Sequence, residues 1–175
     1  MAINIHVSIQ DEGVLDSGVL ISLIGLIEHT SRNAAVITSI RITNDLKLPP
    51  SLIQLVAVRI WAQERSLFWI DAVQPGSKHF FGKIVATAIV STVLTSTIGE
   101  SLKDGWRRTD VHSYISSSIP KMEHLFVEEF RRLFDSDRSP SQDNFYVEPV
   151  IIRPNEDEFL IEIRAHQKRS GPTSQ

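Results

Sequence analysis

Residues 80–106 read FFGKIVATAIVSTVLTSTIGESLKDGW, the longest apolar stretch of the chain, with no ionisable side chain between Lys83 and Glu100. At helical spacing the stretch gives an unbroken i, i+4 row of Ala86, Val90, Leu94, Ile98, Leu102 and Trp106, beside a second row of Phe81, Val85, Ile89 and Val93. These rows predict a long apolar helix starting near Phe80, with Ser77 as its cap. The opposite face carries Thr87, Ser91, Thr95 and Gly99 in one row and Ala88, Thr92 and Ser96 in the next. Water-facing helices usually carry Glu, Lys and Arg, whereas Thr and Val lose rotamer freedom in a helix. Something other than intrinsic propensity must therefore hold this one.

A face of small residues lets a second backbone approach closely, whether from the same fold, another copy or a helix within a bilayer. Thr87, Ser91, Thr95 and Gly99 are accordingly the first candidate interaction face. Spanning a bilayer takes roughly 20 apolar residues. Residues 80–99 reach that length, but six Ser and Thr and Lys83 make them a poor span by composition. A membrane-active effector that inserts this helix is the rival reading.

The chain has 175 residues and a mass of 19.7 kDa, enough for one domain. A domain of that size buries roughly 70% of the surface of its unfolded chain. We expect a single α+β domain over 1–165 and a disordered polar tail over 166–175. A formal charge of −3 supplies no basic field and argues against nucleic acid as a partner. The absence of cysteine removes disulfides, thiolate nucleophiles and Cys-based metal sites. Residues 1–10 lack the pattern of a secretory signal, so a cytoplasmic location is the expectation.

Ile3, Ile5, Val7 and Ile9 alternate with polar residues, the period of a half-buried strand. A helix capped by Asp16 or Ser17 follows, to about Ser31, with Val19, Leu20, Leu23, Ile24 and Ile27 facing the core. Gly18, Ser22, Gly25 and His29 fall on one line of it, so Gly18, Ser22 and Gly25 form a second candidate surface. Residues 36–42 fit either a strand or a continued helix.

Residues 53–62 and 67–73, rich in Val, Ile, Trp and Phe, read as a hairpin in which Arg59 would stack on Trp69. Trp106, Arg107 and Arg108 suit the negative end of a helix dipole and a contact with an anion or a membrane surface. Beyond them a helix from about Asp110 breaks at Pro120. A fresh helix starts at Ser118 with the stripe Met122, Leu125, Phe126, Phe130, Leu133 and Phe134, and Glu128 pairs with Arg132 on its wet side. A final hairpin pairs 145–153 with 158–165, Pro149 confining its first strand to an edge or a bulge.

The expected fold is thus α+β, a mixed or antiparallel sheet in the order β-α-ββ-α-α-ββ packed on a long apolar helix. No phosphate loop, zinc spacing, nucleophile elbow or acid pair meets its spacing rule, so no cofactor, metal or catalytic residue is assigned. His124 with Glu128, and Asp110 with His112, are more simply a surface contact and a cap. A small enzyme would need a site assembled around His112, His124 or Asp71. The leading expectation is a non-enzymatic protein that acts by self-association or by binding a protein partner.

Overall fold

A computed structural model describes residues 3–10, 17–73, 78–101, 108–136, 145–154 and 158–167, with 73, 99–101 and 108–112 described by backbone alone. Strand β1 (Ile3–Gln10) buries Ile3, Ile5, Val7 and Ile9, as its two-residue period requires. It lies in the middle of the sheet. On one side it pairs antiparallel with β3 (His79–Ile84), and β3 pairs antiparallel with β2 (Phe68–Val73). On the other it pairs parallel with β6 (Phe159–Gln167). The far side of β6 takes β4 (Phe145–Val147) and β5 (Ile151–Pro154), both antiparallel. Pro149 lies in the break between these two short strands on the sheet's edge, as its missing N–H demands. The architecture is α+β with a mixed sheet, as the sequence implies.

Among the described residues five helices complete the fold: α1 (Ser17–Asp45), α2 (Pro50–Trp61), α3 (Ala86–Ser101), α4 (Arg108–Ser117) and α5 (Ile119–Ser136). Residues 36–42 continue α1, whose middle turns bury Thr30, Ser31, Ala34, Ala35, Thr38 and Ser39. Their small volume lets α5 lie close along α1, with Arg41 paired to Glu129 at 2.5 Å and Lys121 to Asp45 at 2.5 Å. Arg132 binds this same buried Glu129, at 2.7 Å, instead of the expected Glu128. Phe126, Phe130 and Phe134 stack along the inner face of α5 at 6.1 and 5.4 Å. Helix α1 ends in a Schellman pattern: Leu48 N–H donates to Thr43 O (3.2 Å) and Lys47 N–H to Asn44 O (2.9 Å). Lys47 takes the left-handed position with φ 53°, where glycine is usual.

Three local assignments change. Helix α1 runs to Asp45 instead of stopping near Ser31. Residues 50–61 are helix α2, not the first arm of a hairpin. Pro50 opens it, and Val56 and Ile60, four apart, are its buried residues. The expected Arg59–Trp69 stack does not form, because Arg59 on α2 donates instead to Thr97 Oγ1 of α3 at 3.1 Å. The apolar helix also begins later than expected. Phe80, Gly82 and Ile84 are buried and alternate with exposed His79, Phe81 and Lys83, so 79–84 form strand β3 and the helix starts at Ala86. The first hairpin of the fold is therefore β2–β3, and the expected final pairing of 145–153 with 158–165 forms as β4 and β5 against β6.

Candidate interaction surface

Helix α3 leaves β3 directly and packs among α1, α2, α4 and α5. Ala86, Val90, Val93, Leu94 and Ile98 are buried, as is Thr97, the acceptor for Arg59. Of the first candidate face, Thr87 is buried at 4% exposure, while Ser91 and Thr95 are half-buried. Gly99 lies in the last turns of α3, with surroundings outside the described residues. The neighbouring row, Ala88, Thr92 and Ser96, faces outward. Its hydroxyls turn back on the helix: Thr92 donates to Ala88 O (2.9 Å) and Ser96 to Val93 O (3.1 Å). With its donors used internally, this row offers a partner a small, nearly apolar surface.

That row borders a groove of about 320 Å³ lined by Val85, Ala88, Ile89, Thr92 and Val93 of the α3 segment and by Gln63, Arg65, Ser66 and Trp69 opposite. The size falls at the lower end of the range of small-molecule pockets, about 300–1,000 Å³. Trp69 is 55% exposed, yet its indole N–H is tied to Ser66 O at 3.0 Å. Among the described residues no carboxylate or imidazole lines the groove.

The wall formed by 62–68 is held from α1 by one ion pair. Arg32 bonds Glu28 at 2.8 Å and donates to the carbonyls of Trp61 (3.0 Å), Gln63 (2.7 Å) and Arg65 (3.3 Å). Glu28 accepts from the Ser66 hydroxyl (2.8 Å) and from the amides of Leu67 (2.9 Å) and Phe68 (3.0 Å). Burial alone would raise the Glu28 carboxyl. The Ser66 hydroxyl, the two amides and Arg32 together outweigh it and hold the group below its ordinary value. With the helix expected to end near Ser31, the i, i+4 pair of Glu28 and Arg32 was not read from the sequence, nor were its partners more than 25 residues away.

Strand β2 forms one end of the sheet and, among the described residues, pairs only with β3. Trp69 and Ile70 on it are exposed at 55% and 43%. The second candidate surface, Gly18, Ser22 and Gly25, is exposed on α1 beside Ile21, itself 69% exposed. A Cβ added at Gly25 would meet nothing within 4 Å. Trp106 and Arg107 lie outside the described residues, as does the side chain of Arg108.

The outward face of the sheet carries paired polar side chains. Lys83 pairs with Asp71 (3.1 Å), Arg153 with Glu162 (3.2 Å) and His166 with Glu148 (2.6 Å). Asp71 is thus engaged by Lys83, and His124 packs edge-on against Phe159 at 4.9 Å. The side chain of His112 lies outside the described residues. Among the described residues no group of three or more His, Asp or Glu is placed to hold a metal, and no helix is long and apolar enough to cross a membrane. No protein-family model matches the chain, and no curated protein or solved structure matches it significantly.

Proposed function

We propose that this protein acts by association, and that two copies join through the β2 edge and the outward row of α3. The observation that carries the reading is the contrast between the two ends of the sheet. One end is blunted by Pro149 and Pro154 and by the break between β4 and β5. The other is β2, whose sequence FWIDAV has neither proline nor lysine and exposes Trp69 and Ile70. Apart from the register shift between Ile70 and Ala72 at Asp71, the described edge lacks blunting devices, and edges of this kind are templates for strand addition.

An antiparallel β2–β2 contact is isologous, so each copy would offer the other the same groove beside Trp69. Ala88, Thr92 and Ser96 allow the close approach that such a contact needs. Sedimentation should give a mass near twice the 19.7 kDa of one chain. Ile70→Lys and Thr92→Glu, both at exposed positions, should each yield folded monomer with an unchanged circular-dichroism spectrum. A wild-type protein that stays monomeric at millimolar concentration would remove the proposal.

A further inference from the structure

We infer that His6 and His79 form a two-imidazole binding site for a borderline divalent metal such as Zn²⁺, Cu²⁺ or Ni²⁺. The site is independent of the association surface, since it lies on the outward face of the sheet at the β1–β3 pair. His6 Nε2 and His79 Nδ1 are 3.2 Å apart. Two nitrogens bound at about 2.0–2.1 Å to a tetrahedral ion lie about 3.3–3.4 Å from each other. The rings already hold the bite that a metal requires.

Both side chains stand on paired strands, where Ser8 is the register partner of His79 and Phe81 that of His6. Phe81 stacks on His6 at 4.6 Å and 6°, and His79 stacks on it at 5.4 Å and 22°. Two nearly parallel rings on a rigid support lose little freedom when they bind.

The change on binding is a local one. In the free protein one of the two facing nitrogens carries the proton that the other accepts. Binding moves that proton to the outer nitrogen of the same ring, His6 Nδ1 or His79 Nε2, with no change in charge, and small turns of the rings aim both lone pairs at an ion lying off the line between them. Glu162 is in register with His6 on β6 but is held by Arg153 at 3.2 and 3.3 Å. Among the described residues no further ligand is in place, and two imidazoles leave positions open for water. Imidazole selects zinc, copper and nickel over Mg²⁺ and Ca²⁺, which prefer oxygen.

The test is calorimetric titration of the full chain with Zn²⁺, alongside electron paramagnetic resonance of the Cu²⁺ complex. We expect a dissociation constant tighter than about 1 mM, weakened about tenfold or more by His6→Gln or His79→Gln. His166→Gln, on the same face but bonded to Glu148, should leave it unchanged. Should the single variants misfold, the wild-type Cu²⁺ spectrum decides alone: hyperfine structure from two imidazole nitrogens supports the site, and from one or none overturns it. Absence of Zn²⁺ binding, or an equal loss in His166→Gln, overturns it as well.

Discussion

Glu28 organises the loop that walls the groove, accepting from Arg32, Ser66, Leu67 and Phe68. Glu28→Gln removes the charge and one acceptor oxygen from a part-buried cluster, and should cost about 2 kcal/mol in chemical denaturation. Its carboxyl is depressed in the folded state, so the stabilisation is complete above the ordinary value of 4.5 and fades as the pH falls through the lower folded value. The stability gap between wild type and Glu28→Gln should accordingly be constant near neutrality and close in acid. A gap that widens in acid would mean that the carboxylate does not hold the loop. Neither the ion pair, whose Arg32 lies beyond the helix end expected near Ser31, nor its role was legible, because the donors arrive from a loop that only the packing of α2 on α1 brings near.

Strand β3 and helix α3 show what a one-dimensional pattern can and cannot separate. Residues 80–85 fit helical spacing, yet the alternation of Phe80, Gly82 and Ile84 with His79, Phe81 and Lys83 fits a strand equally well. Pairing with β1 and β2 decides between them. At Gly82 there is no room for a side chain, since a Cβ there would collide with the Phe68 ring and the Trp69 carbonyl oxygen. Gly82→Ala should therefore destabilise the fold by about 1–3 kcal/mol. Amide exchange in β2 should rise more than in β6, because the collision falls on the β2–β3 seam; equal exchange in both would refute it. Helix α2 was misread for a related reason: its Val and Ile carry strand propensity, while burial follows the four-residue spacing of Val56 and Ile60. The hydroxyl rows of α3 were legible. That Thr87 turns inward and Thr92 outward depends on which neighbours α3 meets.

Across the molecule, the fold class follows from elements whose periodicity is unambiguous: β1, the Phe126–Phe130–Phe134 stripe and β6. The strand order does not, because nothing local announces that β1 and β6, at opposite ends of the sequence, lie side by side in parallel. Their buried rows, Ile3, Ile5, Val7 and Ile9 with Ile161, Ile163 and Ala165, form the centre of the sheet. A chain cut after residue 157 keeps all five helices but loses the strand that pairs with β1, β4 and β5. It should lose cooperative thermal unfolding while retaining helical circular dichroism; a sharp transition in the truncated chain would show that β6 is dispensable.

The parallel pairing of β1 with β6 also bears on how the protein is made. A ribosome releases β1 early, but its parallel neighbour leaves the exit tunnel only after the rest of the fold has been synthesised. Until then a row of isoleucines and valines has one open flank. Closing a loop of about 150 residues is an entropic step that grows only slowly with length, yet such distant contacts make folding slow and the waiting intermediate prone to aggregation. Synthesis of this fold should thus depend on chaperone shelter for the segment between β1 and β6 until β6 is made.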